Sequence, residues 1–150
     1  KLLQAKQAAD LHSPGFNQRL IFEVMQNGFL DRHVPTIRSL YKAQRDAMLE
    51  ALANHFPESQ GPDSANADST FTWNTPAGGM FLWARLPAGM NAVDLLPHAV
   101  DKGVAFVPGA PFYAGNADAR AMRLSFVTPS VEEIHRGVAA LAEAIHAQRS

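Results

Sequence analysis

Residues 122–127 read Met122-Arg123-Leu124-Ser125-Phe126-Val127, and this alternation constrains the fold more than any other stretch of the chain. Successive side chains of a strand point to opposite faces, so Met122, Leu124 and Phe126 share one face while Arg123 and Ser125 share the other. One face packs and the other carries a cation. By itself such an arginine is either a solvated outer-face charge or a planar fork aimed at a carboxylate or phosphate. Arg120, in the polar stretch just before, is a rival for the second role.

The neighbouring segments supply the layer that the apolar face needs. Two helical pieces open the chain, split by His12-Ser13-Pro14-Gly15, with Asn17 expected to cap the second and Gly28 to end it. A longer helix follows with Pro35 in its first turn. Its stripe is Ile37, Leu40, Tyr41, Ala47, Met48, Ala51, Leu52 and His55, and Pro57 stops it. Residues 58–69 are almost devoid of apolar side chains and read as an exposed loop without function.

Strands are then expected at residues 70–74 and 80–86, joined by the turn Thr75-Pro76-Ala77-Gly78-Gly79. The second of these is apolar on both faces, which suits an internal strand. Asn91 and Asp94 signal a helix that Pro97 distorts and Lys102-Gly103 closes, and residues 104–107 form a short buried strand before Pro108-Gly109. After the Arg123 strand, Ser130 and Glu133 form a capping box for a last helix striped by Val131, Ile134, Val138, Leu141 and Ile145. The order strand, strand, helix, strand, strand, helix behind a long helix is an α+β layer of helices on a small sheet.

Composition removes several kinds of function. With 150 residues, 47% hydrophobic and 18% charged, the chain can bury a core and does not read as disordered. A formal charge of -1 offers no basic field for nucleic acid. The absence of cysteine excludes disulfides and thiolate chemistry, and a reducing cytoplasm suits it. No apolar run approaches the roughly 18 residues that span a bilayer. Beginning on Lys1 within a helical pattern, the chain reads as a piece of a longer protein.

The polar residues yield few candidates. Among the six histidines, His135 and His146 share a helix face but lie roughly 16 Å apart along it, too far to meet on one metal ion, so no metal site is expected. Gly78-Gly79 and Pro108-Gly109 fit no phosphate-loop pattern and favour turns or close backbone approach. No serine stands in a nucleophile elbow, and Glu132-Glu133 complements the dipole of the last helix.

Three segments in order carry a resemblance: Pro76-Ala77-Gly78-Gly79-Met80-Phe81-Leu82-Trp83, then Gly103-Val104-Ala105-Phe106-Val107-Pro108-Gly109 through Phe112, then Met122-Arg123-Leu124-Ser125-Phe126. Together with the capped last helix, they resemble the C-terminal part of class I/II aminotransferases. These are pyridoxal-phosphate enzymes of fold type I, and the similarity is strongest to the 2-aminoadipate and aromatic aminotransferase branch. The resemblance implies that residues 1–30 end the large domain or link the domains, and that residues 31–150 form the small C-terminal domain.

It further implies that Arg123 binds the substrate α-carboxylate and that Gly79 and Phe81 line the pocket, with Gly109 a weaker member of that group. In relatives, the loop matching residues 6–13 reaches the partner subunit's site, which makes Ser13 a contact candidate across a homodimer. Ping-pong transfer between an amino acid and a 2-oxo acid would follow, with pyridoxal 5'-phosphate in the full-length protein. None of Lys1, Lys6, Lys42 and Lys102 stands in the Ser-x-x-Lys or Ser-Lys context of the cofactor lysine. The segment alone is therefore expected to be inactive and cofactor-free, with no catalytic residue of its own. Two alternatives stay open: an aminotransferase-like sensor domain of a GntR/MocR-type transcription regulator, and a stand-alone α+β interaction domain.

Overall fold

The computed structural model describes residues 1–59 and 68–149. The expected loop at 58–69 falls mostly on residues 60–67, which lie outside the described residues. The chain divides into two compact units, Lys1–Ser39 and Leu40–Ser150.

In the first unit, α1 spans Leu2–Ala9 and α2 spans Gly15–Met25. Asn17 does not cap α2, because the helix starts two residues earlier. Pro14 holds the cap position with φ -55, and its carbonyl accepts the first helical bond from Gln18 N–H at 3.2 Å. Asn27 and Gly28, at φ 59 and 66, make the left-handed turn that separates α2 from α3, Phe29–His55. Helix α3 begins upstream of the expected start, so Pro35 sits in its interior instead of its first turn. Stacking of Phe29 on His33 at 5.1 Å, one turn apart, and Asp31 in the first turn support that added turn.

The second unit holds the core. From α3 it receives Ala47, Met48, Ala51 and Leu52, while Leu40 and His55 of the expected stripe remain exposed. Four strands make one sheet: β1 Thr72–Trp73, β2 Phe81–Arg85, β3 Val107–Pro108 and β4 Ala121–Ser125, in the order β1-β2-β4-β3 with every pairing antiparallel. Strand β2 is internal as expected, but its burial alternates. Leu82 and Ala84 face the core and Phe81 is exposed, so among the described residues the core packs on one face of the sheet and the other is largely open.

Two strands are shorter than the sequence suggests. Strand β1 stops at Trp73 because Asn74 meets Trp83 partly through its side chain, whose Oδ1 accepts the Trp83 N–H at 2.8 Å. Residues 104–106 do not join β3, because Val104 N–H is taken by Ala99 O at 3.0 Å and completes the exit from α4, Ala92–Asp101. Gly103, at φ 83, makes that exit. The helix opens as expected, with Asn91 Oδ1 accepting from Val93 N–H at 2.8 Å.

Helix α5, Val131–Arg149, closes the core. Its capping box is complete: Ser130 N–H donates to Glu133 Oε2 at 2.7 Å, and Glu133 N–H donates to Ser130 Oγ at 3.2 Å. Ile134, Val138, Leu141 and Ile145 are buried, while Val131, at the helix mouth, is exposed. They join Leu82, Ala84, Met122 and Leu124 of the sheet, Leu95 and Ala99 of α4, and the α3 residues in one cluster. Each fully buried Leu, Ile or Phe there contributes about 1.5 to 3 kcal/mol of transfer free energy.

Candidate carboxylate-binding site on the open sheet face

The uncovered face of the sheet is built by register. Antiparallel pairing sets Trp83 and Val107 directly opposite Arg123, one on each side, and paired residues project to the same face. Phe81 lies diagonal to Arg123, opposite Ser125. Trp83, Arg123 and Val107 thus form a row across three strands.

Aromatic rings surround the guanidinium. Its central carbon lies 4.0 Å from the centroid of the Phe81 ring and 4.9 Å from that of Phe112. A cation over the negative face of a ring is held by the ring quadrupole, and the charge is not neutralised. Phe112 ends a short 3₁₀ turn, Ala110–Phe112, and meets Trp83 edge-on at 5.7 Å and 80°. Among the described residues no carboxylate pairs with Arg123.

Arg85 of β2 and Arg120, just before β4, are both paired with carboxylates. Arg120 reaches Asp68 at 3.0 Å and Asp118 at 3.7 Å, with a side chain only 16% exposed. Arg85 bonds the same two aspartates, and the hydrogen bond it donates to the Asp118 carboxylate holds the guanidinium proton more firmly than usual. That four-residue network fastens the chain around Asp68 to the end of β4, and it neutralises the rival cation.

The remaining candidates occupy distinct places. Gly79 lies in the turn before β2 at φ +85, with nothing within 4 Å of where a Cβ would be. The turn is anchored from α3, because Arg45 donates to Pro76 O at 3.1 Å while binding Asp46 at 2.6 Å. Gly109 serves close approach instead: a Cβ there would meet Ala121 Cβ at 2.6 Å and the Ala121 backbone at 2.9 Å. Its N–H donates to Ala121 O at 2.7 Å, which pins the turn carrying Phe112 beside β4. Ser13 belongs to the first unit, where its carbonyl accepts from Gln18 Nε2 at 2.8 Å.

Phe112 and Trp83 as ring partners of the Arg123 site were not evident from local sequence. Phe112 is separated from Arg123 by an irregular polar stretch, and the β3–β4 register brings the two together. No group of His, Asp or Glu suited to a metal ion occurs among the described residues, and no described helix is long and apolar enough to cross a membrane. In the second unit, Lys42 pairs with Asp46 at 2.6 Å and Lys102 with Glu143 at 3.1 Å. A guanidinium held as Arg123 is has the geometry to take a carboxylate or phosphate through two parallel bonds.

No protein-family model matches the chain. It is 41% identical over 97% of its length to aromatic-amino-acid aminotransferase 1 of Thermococcus litoralis, and 39% identical over 97% to 2-aminoadipate transaminase of Thermus thermophilus. These matches span 32% and 34% of the relatives, so the chain covers about a third of their length. The structure superposes on a kynurenine aminotransferase from Pyrococcus horikoshii with a TM-score of 0.82 at 39% identity, covering 97% of this chain and 33% of that one. Similarity to an uncharacterized HTH-type transcriptional regulator of Bacillus subtilis is weaker, at 28% identity over 92% of the chain.

Proposed function

We propose, for a chain that resembles the C-terminal part of class I/II aminotransferases, that it supplies the arm binding the substrate α-carboxylate in a pyridoxal-phosphate-dependent aminotransferase. One observation carries this reading. Arg123 is held over the Phe81 and Phe112 rings on the open sheet face, and among the described residues it has no carboxylate partner, whereas Arg85 and Arg120 are both paired. A guanidinium can make two parallel charge-assisted bonds to a carboxylate, which fixes orientation as well as position.

On this reading Arg123 contributes binding and geometry, and no proton transfer. Holding the α-carboxylate in one place sets the orientation of the other bonds at the same carbon, and orientation of that kind lowers the barrier. Gly79 and Phe81 line the same pocket. The cofactor would hold the electrons released in amino transfer, and the residues that bind it belong to the rest of the full-length protein. Residues 1–30 would then end the large domain or link the domains, residues 31–150 would form the small domain, and Ser13 would touch the partner subunit's site in a homodimer. The amino-acid and 2-oxo-acid substrates, and the cytoplasm as their compartment, come with the same reading.

The test is kinetic. In the full-length protein, amino transfer from L-phenylalanine or L-2-aminoadipate to 2-oxoglutarate should fall sharply in kcat/KM on Arg123→Ala. The change expected is about 2 to 4 kcal/mol, since hydrogen bonds to charged groups contribute about 1.5 to 3 kcal/mol each. Unchanged kinetics would reject the assignment. The similarity to transcription regulators favours a second reading, a ligand-sensing domain with the same fold. A DNA-binding domain encoded upstream in the natural gene, with ligand binding but no turnover, would establish it instead.

A further inference from the structure

Phe112 ends a short turn and is 52% exposed in this chain, so the core formed here does not fix its ring. Its ring meets the Arg123 guanidinium carbon at 4.9 Å and Trp83 edge-on at 5.7 Å. Trp83 is in turn the residue directly opposite Arg123 in the β2–β4 register, so Phe112 bridges two paired positions of one sheet face. The turn beneath Phe112 is rigidly placed: Phe112 N–H donates to Gly109 O at 2.9 Å, and Gly109 N–H donates to Ala121 O at 2.7 Å.

An arginine free to rotate must be ordered when it binds a carboxylate, and that ordering weakens binding. A ring face attracts the cation without neutralising it as a carboxylate would. A ring already in contact thus reduces the ordering that remains, while the charge stays available to a ligand.

We infer that Phe112 is a positioning residue for Arg123: held edge-on by Trp83, it fixes the guanidinium before a carboxylate arrives. The inference rests on the reading of Arg123 as the carboxylate-binding residue. Phe112 itself need not touch the substrate.

The experiment measures kcat/KM in the full-length protein with L-phenylalanine and L-2-aminoadipate as amino donors and 2-oxoglutarate as acceptor. Phe112→Leu should lower kcat/KM roughly two- to fivefold, the factor a cation–π contact at an exposed site supplies. The loss should lie mainly in KM, and Phe112→Tyr, which keeps the ring, should retain wild-type values. In an Arg123→Ala background, Phe112→Leu should add no further loss, because the residue it positions is gone. A merely structural role would instead give losses that multiply.

If Arg123→Ala lowers kcat/KM but Phe112→Leu does not, or if the two losses multiply, the positioning role is overturned and the carboxylate reading stands. If Arg123→Ala changes nothing, or neither donor is turned over, the carboxylate reading itself falls and the inference falls with it. Should Phe112→Leu fail to fold, Phe112→Met removes the ring with less loss of volume and decides by the same outcomes.

Discussion

The guanidinium carbon of Arg123 lies 4.0 Å above the ring of Phe81, two residues away from its direct partner position on the neighbouring strand. A diagonal pair at this spacing is within reach of long side chains on a twisted sheet. The contact keeps the cation on the open face without an acidic partner among the described residues. Arg120, three residues earlier, lies in a carboxylate network instead. Two arginines so close in sequence therefore serve different purposes.

Arg120→Ala should destabilise the protein by about 1 to 3 kcal/mol, since it leaves Asp118 without one of its cationic partners in a half-buried setting. Arg123→Ala should leave stability within about 0.5 to 1 kcal/mol of wild type, the worth of an exposed cation–π contact. Urea denaturation of the two variants separates them. Equal losses would show that Arg123 is as structural as its neighbour.

Gly109→Ala is expected to destabilise by about 1 to 3 kcal/mol through overpacking. The added methyl would lie 2.6 Å from Ala121 Cβ and 2.9 Å from backbone atoms, which cannot swing aside as a flexible side chain can. Because the same turn carries Phe112, fluorescence of the nearby Trp83 should shift as well. A variant with wild-type stability and emission would contradict the close approach.

Gly78 and Gly79 form a matched pair. Neither has any atom within 4 Å of a built Cβ, but only Gly79 has a positive φ, +85. Gly79→Ala should therefore cost about 1 to 2 kcal/mol from backbone strain, while Gly78→Ala should be neutral or slightly stabilising. Thermal denaturation measured side by side checks the order, and a reversed order would overturn it.

Glu133 is held below the ordinary carboxyl value of 4.5, first by the Ser130 backbone N–H and then by the Ser130 hydroxyl. A depressed folded-state value means that its stabilisation is present above the unfolded-state value and is lost as pH falls through the folded-state one. Stability should thus decline on acidification below about 4.5, and Glu133→Gln should flatten that part of the acid limb while keeping an acceptor for Ser130 N–H. Ser130→Ala should lower stability by about 1 kcal/mol at neutral pH. Denaturation midpoints followed from pH 7 to pH 3 test both variants.

Local signals were enough wherever one short stretch contains all the interacting groups. The Ser130/Glu133 box, the Asn91 cap and the Gly103 exit can each be read within a few residues, and each occurs as expected. Local reading failed where two signals competed for one backbone group. Asn17 lost its cap role to the upstream Pro14, and Val104 N–H went to the α4 carbonyl of Ala99 instead of a strand partner. The start of α3 also moved, because a ring stack between Phe29 and His33 supports a turn that Pro35 would otherwise have marked as the beginning.

The alternation of Met122, Leu124 and Phe126 against Arg123 and Ser125 determined from sequence alone that this strand has a buried face and an open one, because the period of two is a property of the backbone. Which arginine remains available on that open face was decided only by tertiary structure. Asp68 and Asp118 approach Arg85 and Arg120 through a loop closure and a strand end, and Phe112 approaches Arg123 across a sheet edge. No local spacing encodes such meetings, since they depend on strand register and on which turns the glycines allow.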